Sequence, residues 1–419
     1  MKSQVNFFAD DTSLFSVVNN PETTAEELNH DLYLISVWAN QWKMCFNPDP
    51  TKPAEEVLFS VKTGKVNHPP LYYNNCIVKS VDEHKHLGLI LDSKLTFHSH
   101  ISEKIARARQ GIGLIKKLRS YLPIRTLEQI YKTIVRPHLD YCDIIFHRPQ
   151  LYSDVNLTLN TNYQMKLLES VQYQAALSIT GAWKGSNREK LYDELGWESL
   201  HFRRLSRRLV QFYKIINGLC PDYLRSLIPS ERAHLYGVRR NNIRQLIPTR
   251  TLRFKNSFFP DSINLWNDLG PDLRNTISIS AFKNKISKIF RKEEKSIFGI
   301  SDKLGLKWLF QLRVGLSSLN DHKFRHCFRD TPNGNCACNR ELETTTHFLL
   351  YCGLYDEPRR FLFGIINPIL QNHQLGNVNE YDLTNALLYG FSKLSRAENR
   401  LIVNATLTFL HASKRFSQN

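Results

Sequence analysis

The chain has 419 residues, of which 42% are hydrophobic and 11% aromatic, a composition that excludes a disordered chain and supports a buried core. Lys and Arg number 56 against 39 Asp and Glu, and the formal net charge of +17 favours polyanions as partners, with a merely basic soluble protein as the plain alternative. No run reaches the ~18 apolar residues of a membrane span, the N-terminus lacks a secretory h-region, and the Cys are too sparse for a disulfide framework, so the expectation is two or three domains, no membrane and a reducing intracellular compartment.

In chain order, Val5, Phe7 and Phe8 predict a strand, Asp10-Asp11 a turn, and Leu14 to Val18 a second strand. A helix over 21–43 follows, with Asn20 as its cap, Pro21 at its first position, and Leu28, Leu32, Ile35 and Trp42 on one face. The proline-rich FNPDPTKP (46–53) ends it. Short strands are expected at 56–61, 71–73, 76–81 and 87–91, with Asn74-Asn75 as a hairpin turn. From there the pattern is almost wholly helical. Residues 98–121 carry Ile101, Ile105, Ala108, Ile112 and Ile115 at helical spacing. Pro123 opens another helix, with Leu127, Ile130, Ile134 and Val135 on its apolar side. Further helices are expected at 161–180, 199–217 and 279–294. Residues 233–260 are basic and irregular, a plausible boundary, and 300–419 forms helices around a Cys/His cluster.

Three patterns carry chemistry. Asp10-Asp11 at the tip of a strand–turn–strand presents two carboxylates, part of what a divalent-metal polymerase needs to hold Mg²⁺; a solvated Asp-Asp turn is the commoner alternative. Two stretches are strongly basic. Lys104, Arg107, Arg109, Lys116, Lys117 and Arg119 stand on the helix whose Ile stripe buries the other face, and Arg203, Arg204, Arg207 and Arg208 form two i,i+4 pairs of like charge on a second. A polyanion would relieve that repulsion through sequence-independent phosphate contacts; a solvated helix face is the alternative. Finally, Cys336, Cys338, His347 and Cys352 read C-x-C-x8-H-x4-C, a four-ligand set for structural Zn²⁺, with buried free thiols as the alternative. Asn333-Gly334 supports a turn before the first Cys, and Asn339 tolerates the left-handed backbone a knuckle demands.

FFADDTSLFSVV (7–18) resembles the (Y/F)ADD motif of reverse transcriptases, followed by the run seen in non-LTR (LINE-like) retrotransposon polymerases. MCFNPDPTKPAEEVLFS (44–60), HKHLGLILDSKLTFHSHI (84–101) and LPIRTLEQIYKTIVRPHLDYCDIIF (122–146) look like that family's later segments, in its order. So do residues 195–229, 257–270 and the Cys/His segment, so the resemblance covers nearly the whole chain through ordered co-occurrence. It implies an α+β palm remnant at 1–95, a mostly α-helical thumb at 96–232, a basic connector at 233–298 and a C-terminal helical zinc-binding module at 299–419. By the same resemblance Asp10 is the main Mg²⁺ ligand, Asp11 its neighbour, and Lys52 the match to the Lys that assists the departing pyrophosphate, unless it is a solvated loop Lys. Leu87 and Gly88 match the primer grip, although Gly88 equally fits a crowded strand. The implied partners are an RNA template and DNA primer, or an RNA–DNA duplex, in nucleus and cytoplasm.

Only nine residues precede Asp10, and none is acidic, so the third catalytic carboxylate and the nucleotide-binding segment of the family have no counterpart. The expectation is a truncated RNA-directed DNA polymerase that is inactive alone. The rival is a non-enzymatic nucleic-acid-binding protein that keeps only thumb and zinc knuckle.

Overall fold

The computed structural model describes residues 2–9, 11–46, 54–62, 66–147, 159–230, 244–290, 300–375 and 378–417. Asp10 and Lys52 lie outside them. The protein is mostly helical, with a few small sheets that among the described residues are confined to its first part, and it divides into two compact units, Met1–Glu103 and Lys104–Asn419.

The first unit opens with an antiparallel hairpin, β1 (Gln4–Phe8) and β2 (Asp11–Phe15), in which Phe8 lies opposite Asp11. The loop is therefore two residues long, and Ala9 takes the positive φ of 53° that so tight a reversal requires. Helix α1 (Pro21–Gln41) starts as its sequence dictates: the Asn20 side chain accepts the Thr23 N–H, and Pro21 occupies the first turn. Buried Asp31 on α1 accepts the backbone N–H groups of Lys2 and Ser3 and the Ser3 hydroxyl at 2.6–2.8 Å, which ties the chain start to the helix. The core here is small: Ala25, Leu71 and Val78, flanked by Leu28 and Leu32. Trp42, expected on the buried face of α1, is exposed.

Strands β3 (Glu55–Glu56) and β6 (Lys79–Ser80) pair in parallel, and β4 (Tyr72–Tyr73) and β5 (Cys76–Ile77) form a hairpin. Asn74 and Asn75 make its turn with φ of 49° and 61°, as their side chains allow. A last hairpin, β7 (Glu83–His86) and β8 (Leu89–Asp92), was not foreseen for its first strand, whose alternation is of charged and His residues rather than apolar ones. The Asp92 carboxylate then accepts the N–H groups of Lys94, Thr96 and Phe97 at 3.1, 2.9 and 2.6 Å and turns the chain into α2 (His98–Leu118).

In the second unit α2 buries Ile105, Ala108, Ile112 and Ile115, the stripe its periodicity predicts. Helix α3 (Ile124–Ile130) runs through a π turn, Tyr131–Val135, into α4 (Arg136–Asp140). The wider π turn rotates the apolar ridge. Leu127, Tyr131, Val135 and Leu139 are buried, whereas Ile134, expected inside, is exposed. Then come α5 (Asp143–Phe146), α6 (Leu159–Thr180), α7 (Arg188–Leu195), α8 (Leu200–Ile216) and α9 (Asp222–Ser226).

Helices α10 (Leu252–Lys255), α11 (Phe258–Asp268), α12 (Pro271–Arg274) and α13 (Ile279–Phe290) occupy the stretch read as a basic connector. Ile263, Trp266, Phe282 and Ile286 from it share one core with Leu209, Phe212 and Tyr213 of α8. Apolar residues at helical spacing, diluted by many Lys and Arg, hide this core from a compositional reading. The chain ends with α14 (Lys303–Val314), α15 (Asn320–Arg325), a Cys/His loop, α16 (Asp356–Asn372), α17 (Glu380–Tyr389) and α18 (Arg396–Ala412). No helix among the described residues is long and apolar enough to cross a membrane.

Candidate metal centre and nucleic-acid interface

The Cys/His loop brings its ligand types together from two local devices. The first is a tight antiparallel turn. Cys336 N–H donates to the Glu341 carbonyl at 2.9 Å and Glu343 N–H to the Gly334 carbonyl at 2.8 Å, with Asn339 at φ 59° between them. The second is a π turn over His347–Tyr351, in which the Cys352 N–H donates to the His347 carbonyl at 2.8 Å. An α-helix would put residue i+5 on a different side from residue i; a π turn closes on that pair and aligns them.

The ligand atoms of Cys336, Cys338, His347 and Cys352 all lie within 4.8 Å of one another. Cys336 Sγ is 3.5 Å from Cys352 Sγ, and Cys338 Sγ is 3.2 Å from His347 Nε2. Tetrahedral Zn²⁺ with its usual bond lengths spaces such ligands roughly 3.5–3.8 Å apart, so the set fits. Cys327, close in sequence, is exposed and outside the group. Backbone hydrogen bonding from Arg340 pulls the Cys338 thiol down to about 6, whereas burial pushes Cys336 up to about 12 and raises Cys352 as well.

Outer groups hold this arrangement. His347 Nδ1 lies 3.2 Å from Glu341 Oε2, which orients the imidazole with Nε2 toward Cys338. Buried Arg359 donates to the carbonyls of Leu349, Phe348 and Cys352 at 3.0, 3.3 and 2.7 Å, the last turn of the ligand loop. Arg415, beyond α18, donates to both oxygens of buried Glu343 at 2.6 and 2.7 Å. The sequence singled out none of these three partners, because each acts through a contact that the motif spacing does not contain.

The basic residues divide into two groups. On α2, Arg107, Arg109, Lys116 and Lys117 are exposed, Arg119 just past the helix is half-buried, and Lys104 is buried with its ammonium 5.1 Å from the Tyr141 ring. On α8 all four arginines meet partners within the fold. Arg204 and Arg208 are each 1% exposed. Arg204 donates to the Leu139 carbonyl at 3.1 Å. Arg208 pairs with Asp261 at 3.0 Å and donates to the carbonyls of Ser257, Ile144 and His147 at 2.7–3.2 Å. Arg203 is bidentate on Asp140 and reaches Glu198, and Arg207 lies 3.3 Å from Asp140 and 3.4 Å from Asp143. The like-charge repulsion read from the sequence is thus relieved by groups of the fold itself, with Arg204 and Arg208 buried and Arg203 and Arg207 partly exposed. Burial pushes Asp143 up to about 6 even beside Arg207.

Asp11, exposed, opens β2 at the hairpin tip. Leu87 and Gly88 form the two-residue turn of the β7–β8 hairpin with φ of 47° and 81°. Gly88 meets that geometry without strain, and Leu87 takes it as a bulky residue rarely does.

Comparison with known proteins follows the motifs. The chain is 27% identical over 184 residues to the probable RNA-directed DNA polymerase from transposon X-element of Drosophila melanogaster, covering 43% of this chain and 18% of the relative. It is 28% identical over 137 residues to the RNA-directed DNA polymerase from mobile element jockey, covering 32% and 14%, and 26% identical over 139 residues to the probable RNA-directed DNA polymerase from transposon BS, covering 32% and 15%, both of the same fly. The chain thus spans less than a fifth of the length of these curated relatives. No family model and no solved structure matches it. The similarity to polymerases of non-LTR retrotransposons, first drawn from ordered motifs, therefore rests on three relatives as well.

Proposed function

We propose that this chain is a nucleic-acid-holding portion of an RNA-directed DNA polymerase of a non-LTR retrotransposon, contacting template–primer duplex through the outer face of α2, and that it does not polymerise by itself. The observation that carries the reading is the similarity to three such polymerases, joined to a helix whose buried Ile stripe leaves Arg107, Arg109, Lys116 and Lys117 outside. In the whole polymerase Asp10 and Asp11 would hold Mg²⁺ and Lys52 would stand near the leaving pyrophosphate. Two carboxylates adjacent in sequence are fewer than a pair of Mg²⁺ ions needs, which motivates inactivity of the chain alone. The Cys336, Cys338, His347, Cys352 set would bind one structural Zn²⁺.

Binding of a labelled RNA–DNA hybrid to the full chain across a salt series tests the reading. The four cations of α2 contribute roughly −3 to −4 to the log–log slope. Arg109→Gln, Lys116→Gln and Lys117→Gln together should flatten that slope by about 2 to 3 and leave helical content intact. An unchanged slope would make α2 an ordinary solvated face.

A further inference from the structure

The tertiary fold adds a cation to this surface that no motif marks. Lys307 on α14 lies beside Arg119, which follows α2. Both are half-buried, and among the described residues neither forms an ion pair or hydrogen bond. Between them is Gly181, which ends α6 at φ 74°. A Cβ there would collide with the Arg119 guanidinium and lie 2.9 Å from Lys307 Cγ. Both cationic side chains therefore rest on the bare Gly181 backbone. The Gly181 carbonyl is itself held by Gln311 Nε2 of α14 at 3.2 Å, which fixes that helix against the end of α6.

Two like charges brought together away from water are costly unless something negative joins them. Burial lowers the pKa of both, and the Arg119 charge lowers that of Lys307 further. The carbonyl end of α6 supplies only about half a negative charge against two positive ones. Asp302, the acidic residue at the start of α14, is committed elsewhere: it accepts the Gly305 N–H at 2.9 Å and faces His411 Nε2 at 2.9 Å. A third cation, Lys303, spans from α14 to the Tyr121 carbonyl at 2.7 Å and adds to the local positive field.

We propose that Arg119 and Lys307, seated on Gly181, form a phosphate-binding pair that takes one backbone phosphodiester of the bound nucleic acid. The proposal rests on the nucleic-acid reading above and extends the contact surface from α2 to the C-terminal helices. A guanidinium and an ammonium on one phosphate provide charge-assisted hydrogen bonds from two directions. The recognition is independent of base sequence.

The test uses the full chain and a labelled RNA–DNA hybrid. Arg119→Gln combined with Lys307→Gln should weaken binding about tenfold near 0.1 M salt and reduce the log–log slope by about 1. The charge-matched control, Lys393→Gln with Arg396→Gln, should change binding by less than twofold. Because the two cations repel in the free protein, the paired substitution should leave the melting temperature equal or higher, so weaker binding is not a folding defect. Arg119→Lys should retain most of the affinity. If the parent binds the hybrid and the paired variant matches its affinity and slope, the pair is not a phosphate site, while the nucleic-acid reading stands. An equal loss in the control would reduce the effect to net charge and overturn the site. A parent that does not bind the hybrid would overturn the function and the site together.

Discussion

Arg208 and Asp261 form an ion pair at 3.0 Å with each side chain only 1% exposed. The pair joins α8 to α11 beside the core of Phe212, Trp266 and Phe282, and its guanidinium also satisfies three backbone carbonyls. Removing one member leaves a buried charge without its partner. Asp261→Ala should therefore cost roughly 3–5 kcal/mol in urea unfolding. Arg208→Leu with Asp261→Leu should recover only part of that, because the carbonyls of Ser257, Ile144 and His147 lose their donor. A cost below about 1 kcal/mol for the single change would mean that the pair is solvated.

The Cys/His cluster makes a proton-release prediction. With Cys338 near 6 and Cys336 and Cys352 raised, the metal-free thiols at pH 7 are mostly one thiolate and two thiols. Zn²⁺ requires three thiolates, so uptake should release about two protons from them. Titration calorimetry in buffers of different ionisation enthalpy measures the number. One equivalent of zinc should bind, and Cys352→Ser should abolish it; full stoichiometry in that variant would remove Cys352 from the set.

Arg359 offers a separate handle on the same loop, since it touches three carbonyls and no ligand atom. Arg359→Met should keep the four ligands yet lower zinc affinity by about 10–100-fold, as outer partners commonly do. Competition with a chromophoric chelator reads this directly. Unchanged affinity would show that the π turn holds its shape without the guanidinium.

His322 is buried, with Nδ1 2.8 Å from Ser317 Oγ and Nε2 3.3 Å from Thr345 Oγ1, and burial lowers its pKa to about 4. Its unfolded value is 6.5, so the unfolded chain binds the extra proton first. The stability it contributes is complete above pH 6.5 and is lost as pH falls toward 4, by up to roughly 3 kcal/mol. In His322→Gln the pH dependence across that window should flatten. An identical slope in parent and variant would assign the acid sensitivity to other groups.

Primer extension on poly(rA)/oligo(dT) with Mg²⁺ should show no incorporation by the chain alone. Incorporation that disappears in Asp10→Ala would establish that these 419 residues contain a working centre.

Local features were legible in the sequence because their causes are local. Asn20 and Pro21 start α1, Asn74-Asn75 reverses a hairpin, and the Ile105 to Ile115 stripe marks the buried face of α2, each through interactions within a few residues. The clustering of Cys336, Cys338, His347 and Cys352 belongs to this class: they fall within one short loop, and their spacing alone marks them as a group. The arginines of α8 do not. Residues i, i+1, i+4 and i+5 of a helix span both an inward and an outward face, and only the arrival of Asp140, Asp143, Glu198 and Asp261 from other segments decides which charges are interior. Likewise, nothing near Lys307 in the chain announces Arg119, and nothing near Arg119 announces Gly181. Side-chain patterns determined which elements form and where they begin. Which charges meet a partner, and which stand together without one among the described residues, was decided by packing between helices distant in the chain, because an ion pair depends on separation in space and the sequence records only separation along the backbone.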